Sequence, residues 1–253
     1  MNVSVSEICY KKNYLTEAVA AVQFASPPQG LIGPVLDPGI QSAVRARYKI
    51  YEPNVATQQH VEFTQDGVNT KKTKFHNWTY HGEAREKTIT LNRNQLTVSN
   101  RDYKSFAEFK SDFTQPLNEL IRVDAQIPVM RTGVRFVNVF TGLASNEEQL
   151  SEYFQPMISS SFANIVDRDL CVRQVQVCEY LKENFKMRVQ SGVFNSDYPA
   201  RIKKWDFVLD FDCYVDTPHI LSEVPASIDL LHEAIQRKFE ALVTDKLRGV
   251  MNG

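Results

Sequence analysis

The spacing of apolar and polar positions changes several times along the chain, and each change marks an element. EAVAAVQFAS (17–26) is small and β-branched throughout, which predicts a strand buried on both faces. PPQGLIGPVLDPG (27–39) carries too much Pro and Gly for a helix or a central strand. In IQSAVRARYKIY (40–51), Ile40, Val44 and Tyr48 share one face of a predicted short helix.

Between about 59 and 99 the period becomes two. HVEFT and KFHNWTY read as strands around the turn signal Asp66-Gly67. TITLNRNQLTVS (88–99) predicts a hairpin with Arg93-Asn94 as its loop, Leu91 opposite Leu96 and Ile89 opposite Val98. The period then returns to helical in SFAEFKSDFTQPLNELI (105–121), where Ser105 and Glu108 form a capping box. Phe106, Phe109, Phe113, Leu117 and Leu120 make its apolar stripe, and Pro116 is expected to kink or divide it.

The second half repeats this order. VMRTGVRFVNVF is a strand and SNEEQLSEYF (145–154) a helix with a capping box at Ser145 and Glu148. CVRQVQVCEYL (171–181), FKMRVQSGVF (185–194) and WDFVLDFDCYV (205–215) follow as strands. PASIDLLHEAIQRKFEALVTDKLRG closes the chain as one long helix through Ile228, Leu231, Ile235, Phe239, Leu242 and Lys246, with Gly249 as its stop. The expected fold is therefore α+β, with residues 1–125 and 126–253 as similar halves in one compact unit. Each half is an antiparallel sheet covered by a long amphipathic helix, and the two join about a pseudo-twofold axis, an internal duplication inferred from element order alone.

Composition narrows the functional classes. With 253 residues and 43% hydrophobic content the chain can bury a core. The parts before and after Ala125 carry 15 basic against 13 acidic residues and 14 against 17, so neither has the basic excess of a dedicated duplex-binding surface. The four cysteines show no CxxC pair, and no apolar run approaches a bilayer span; a soluble cytoplasmic protein with no membrane association is expected.

No catalytic motif accounts for the chain, and no cofactor is expected. HEAIQ (232–236) lacks the second zincin histidine, so Glu233 reads as an ordinary helix residue. His76 and His81 point to opposite faces of a strand region, as do Cys171 and Cys178, and zinc is not expected. A basic cluster of Lys71, Lys72, Lys74, Arg85 and Lys87 near Trp78 and Tyr80 could bind single-stranded nucleic acid by stacking, but a solvated hairpin is the preferred reading. In WDFVLDFDCYVD the odd positions form an apolar face, while Asp206, Asp210, Asp212 and Asp216 share the other with Val208 and Tyr214. This row could hold a divalent cation. The preferred account is the polar face of an antiparallel sheet.

Arg131 and Arg135 share parity with Gly133 and Val137, and Met130, Val134, Phe136 and Phe140 take the opposite face. A buried guanidinium must be paired, and the acidic strand offers partners, so a cross-strand Arg–Asp pairing is the preferred reading. The other is an anion pocket in which Arg forks grip phosphate or carboxylate and Gly133 leaves the approach open.

Three stretches, NYLTEAVAAVQF (13–24), RTGVRFVNVF (131–140) and LHEAIQRKFEALVTDKLRGVM (231–251), resemble a sporadically distributed family of uncharacterised prokaryotic proteins of about this length. Gly133, Arg135, Phe136 and Asn138 match its central G-[LV]-R-[YF]-x-N strand, and Arg131 lies just before it. The resemblance implies no catalytic residues; its patchy distribution implies an accessory component of a defence or toxin–antitoxin system. The expected function is a non-enzymatic cytoplasmic binding protein that recognises a protein partner or an anionic ligand between its halves, with Arg131, Arg135 and Asn138 as binding residues. Arg135 is expected to hold the junction together and Arg131 to face outward. The alternative is a metal-dependent nucleotide or nucleic-acid enzyme using Asp206, Asp210 and Asp212.

Overall fold

A computed structural model describes residues 8–64, 67–160, 165, 167 and 170–253. The fold is α+β, with one large antiparallel sheet and six helices among the described residues. The first part runs β1 (Leu15–Phe24), α1 (Pro38–Arg47), β2 (Ile50–Thr64), β3 (Gly67–His81), β4 (Lys87–Asn92), β5 (Gln95–Asn100) and α2 (Phe106–Val123). The second runs β6 (Pro128–Phe140), α3 (Glu147–Tyr153), α4 (Pro156–Ser159), β7 (Gln174–Leu181), β8 (Lys186–Val193), β9 (Phe207–Val215), β10 (His219–Ile220), α5 (Val224–Leu242) and α6 (Asp245–Asn252).

The strand order is β2-β3-β4-β5-β1-β6-β9-β8-β7, with β10 added beside β6. The two expected sheets are thus one, closed by antiparallel pairing of β1 with β6, where Ala20 lies opposite Val134. One face is the core: Ala18, Ala20 and Val22 continue through Ile89, Leu91, Leu96 and Val98 on one side and Val134, Phe136, Leu209, Phe211 and Val189 on the other. The long helices α2 and α5 pack on this face. Alternate residues of β1 are half-exposed or exposed, so the strand is buried on one face only. Its run of small residues reflects close strand and helix neighbours on that single side.

Several local expectations meet the structure directly. The β4–β5 hairpin pairs Leu91 with Leu96 and Ile89 with Val98. The Asn92 side chain accepts from the Asn94 and Gln95 amides and closes the loop. Ser105 caps α2 by accepting from the Glu108 N–H. Pro116, by contrast, does not divide the helix as expected: α2 runs through it, with Phe113 and Leu117 on either side held in the core.

Other boundaries shift. Asp37 caps α1 by accepting from the Gly39 and Ile40 amides, with Pro38 at the first turn, so the helix begins inside the segment read as breaker-rich. Asn146, not Ser145, caps α3, and the Gln149 side chain returns to the Ser145 N–H. The C-terminal helix divides because Val243 is extended and bridges Phe154, after which Thr244 caps α6; Gly249 lies within that helix and stops nothing.

Strands β2 and β3 pair along their whole length, but β3 meets β4 only at residues 78–81. The remainder extends as a two-stranded ribbon. Thr64 lies opposite Gly67, bracketing the expected turn, whose Asp66 is outside the described residues.

Candidate functional site

The helix-free face of the sheet carries most of the charged candidates. One register row crosses it as His81, Thr88, Ser99, Val19, Arg135, Asp212, Arg188 and Glu179. The next crosses as Glu17, Val137, Asp210, Gln190 and Val177. Strand alternation puts every one of these side chains on the side opposite the core.

Arg135 faces Asp212 in register but reaches diagonally to Asp210, where Nε and Nη2 donate to the two carboxylate oxygens at 2.9 and 2.7 Å. This bidentate geometry holds the Arg135 guanidinium above its ordinary value, the hydrogen bonds it donates to Asp210 outweighing the opposing effect of burial. Arg131 reaches further along β9, past the Gly133–Tyr214 pair, to Asp212 at 3.1 Å, and its guanidinium lies 3.7 Å over the Tyr214 ring. Gly133 sits opposite Tyr214, and a Cβ there would meet the Tyr214 Cβ at 3.4 Å and Arg131 Nε at 3.8 Å. These are ordinary van der Waals distances, so the stack does not depend on the glycine. Both arginines pair within the second half, so Arg135 does not clasp the two halves together; its side chain is 48% exposed against 36% for Arg131, reversing the expected inner and outer roles.

Beside these pairs lies a polar depression of about 170 Å³ lined by Arg135, Arg188, Gln190, Asp210 and Asp212. Arg188 is exposed, and among the described residues neither its guanidinium nor the Gln190 amide has a side-chain partner. Sequence reading overlooked both. Their parity with Glu179-facing positions on β8 was available, but the register that sets Arg188 beside Asp212 was not.

Asn138 takes the opposite face: it is buried and donates from Nδ2 to the Leu209 carbonyl at 3.2 Å. It cannot act with Arg131 and Arg135 as one site. With Phe136, Tyr14, His232 and Phe239 it instead lines a second cavity of about 110 Å³ beneath α5. Met130 is also displaced from its expected face and is exposed, because a register irregularity between Gln23 and Phe24 shifts Val129 into the core.

Two constellations that the sequence offered as alternatives do not assemble among the described residues. Asp206 lies before β9, while Asp210 and Asp212 are engaged by guanidinium groups that a cation would have to displace. Among the described residues no three His, Cys, Asp or Glu side chains are placed to hold a metal ion. The basic cluster also disperses: Trp78 and Tyr80 are buried, Arg85 pairs with Glu52, and Lys87 pairs with Asp112. Lys72 and Lys74 remain exposed on the ribbon, and the Lys71 side chain is outside what the structure describes. Glu233 pairs with Arg237 along α5, an ordinary helix-surface contact. His76 stacks on Trp78, whereas His81 contacts Thr88 and Glu52.

The fold and this face together define an α+β protein whose sheet is covered on one side by helices and, among the described residues, carries none on the other. No family model and no curated protein matches the chain. A solved structure described as crystal form III of TP0453 aligns over 91% of this chain and 100% of its own, at 8% identity and a TM-score of 0.14, too low a likeness to bear on the fold. No helix of the described residues is long and apolar enough to cross a membrane.

Proposed function

We propose that this is a non-enzymatic cytoplasmic binding protein that docks a protein partner on the helix-free face of its sheet. The observation that carries the reading is the asymmetry of the sheet: α2 and α5 cover one face, and the other presents small, half-buried residues around a charged centre. Thr79, Thr90, Thr97, Ala21 and Gly133 form a continuous row of small residues there. The Arg135–Asp210 and Arg131–Asp212 pairs supply a polar centre that fixes register more than affinity.

We also read residues 1–125 and 126–253 as duplicated halves about a pseudo-twofold axis. Support comes from strand order: the first strand of each half lies at the centre, and the later strands of each return to it from the outer edge. The docking face then spans the seam between halves. The patchily distributed prokaryotic family that the RTGVRFVNVF stretch resembles supports an accessory role in a defence or toxin–antitoxin system.

The test is affinity capture with mass spectrometry from host cells, using wild type and a Thr90→Arg, Thr97→Arg double variant. Both side chains are half-buried on that face and lie opposite each other, so the melting temperature is measured beside the capture to check that the variant is folded. A partner enriched with wild type and lost from a variant of unchanged melting temperature supports the reading. Retention of every captured partner by that variant overturns it.

A further inference from the structure

We infer that the depression beside Arg188 is a carboxylate-binding site, which accepts an acidic group of the docked partner. The inference rests on the helix-free face being the docking surface only for the origin of that group; the site itself stands on its local chemistry.

Two guanidinium groups and two carboxylates line the depression, and Arg131, outside its lining, holds Asp212. Asp210 is gripped by Arg135 and Asp212 by Arg131, so each carboxylate already has its cation. Arg188 is the third cation, across the β8–β9 register from Asp212, and among the described residues it makes no ion pair. Glu179 is its neighbour on the edge strand, exposed and likewise without an ion pair, and an exposed contact of this kind is worth little in water. Glu17, the acidic residue nearest Arg135 on β1, is occupied by Ser99 and Arg101. Gln190, with an uncommitted amide, lines the same depression.

The one loosely held cation decides the ligand class. Asp210 and Asp212 are each held by one guanidinium and exposed Glu179 competes only loosely for Arg188, so one cation is open to a monoanion, whereas a phosphate dianion would face the repulsion of Asp210, Asp212 and Glu179. A planar carboxylate also matches the Arg fork through two parallel hydrogen bonds, and the Gln190 amide can supply a third donor. The paired arginines on either side hold the sheet face in place and lower the ordering cost to the side chain that binds.

The experiment is a titration of the full chain with three probes, followed at the arginine Nε–H and Gln190 side-chain signals by NMR. The probes are N-acetylglutamate α-amide for an acidic side chain, N-acetylalanine for a chain terminus, and inorganic phosphate. Saturable shifts confined to Arg188, Arg135 and Gln190 are expected with a carboxylate probe, and the tighter of the two identifies the source. Arg188→Gln should weaken binding at least tenfold without lowering the melting temperature, and Glu179→Gln should tighten it about twofold by removing the competing charge. Shifts spread over all exposed arginines, binding unchanged in Arg188→Gln, or phosphate saturating before either carboxylate would each overturn the assignment. Carboxylate binding that persists when the Thr90→Arg, Thr97→Arg variant keeps its partners would refute the docking face and leave this site standing.

Discussion

Arg135 grips Asp210 although Asp212 is its register partner, and Arg131 takes Asp212 by reaching past the Gly133–Tyr214 pair. The two pairs interlock along one edge of β6 and β9. A side chain removed from either pair leaves a charge whose other neighbour is already committed.

Arg135→Met should therefore destabilise the protein by about 1–3 kcal/mol. Asp210 is buried and loses its bidentate partner, but the half-exposed Arg135 side chain moderates the loss. In a double-mutant cycle, Asp210→Leu should recover part of that loss in the Arg135→Met background, measured by urea denaturation. Strictly additive losses would show that the pair contributes no coupling.

Asp112 on α2 is fully buried between Lys87 of β4 and Arg47 of α1, each within 3.0 Å. Burial raises its carboxyl above the usual carboxylate range, against the pull of both cations. Lys87→Met should cost about 3 kcal/mol at neutral pH by leaving the carboxylate half-compensated. A carboxyl that is raised in the folded state takes up a proton on folding, so its contribution grows as pH falls through the folded value and levels off below the unfolded one. The stability gap between Lys87→Met and wild type should accordingly narrow between pH 7 and 5 in chemical denaturation. A gap that widens on acidification contradicts the sign.

Cys213 is buried in β9, and burial pushes its thiol up to about 12. Native protein alkylated at pH 8 should be modified at exposed Cys178 and not at Cys213, as read by peptide mass spectrometry. Labelling of Cys213 should appear only under denaturing conditions.

Gly192 holds φ at +150°, and a Cβ there would stand 2.1 Å from the Gln174 carbonyl oxygen of the edge strand. Gly192→Ala should cost about 3 kcal/mol and loosen β7, which hydrogen exchange of the β7 amides can follow. Protection of β7 equal to wild type would place the strain elsewhere.

The helices and hairpins were legible where one period dominates. The stripe of α2 and the pairing of Leu91 with Leu96 follow from side-chain spacing, because burying one face of a helix or hairpin fixes which residues turn inward. The arginine–aspartate pairing was legible for the same reason, since parity put both charge signs on one kind of face. Boundaries failed where a single cap or bridge decides them: Asn146 in place of Ser145, and Val243 turning out to meet Phe154.

By itself, the sequence determined the kinds of element, their inward faces and the sign of charge on β6 and β9. Only the tertiary structure decided that two expected sheets are one, that Arg135 reaches Asp210 instead of Asp212, and that Arg188 is left over. Parity is a local property of one strand, whereas register and the neighbour across a ladder depend on how separate strands meet in space, and no spacing within one strand encodes that.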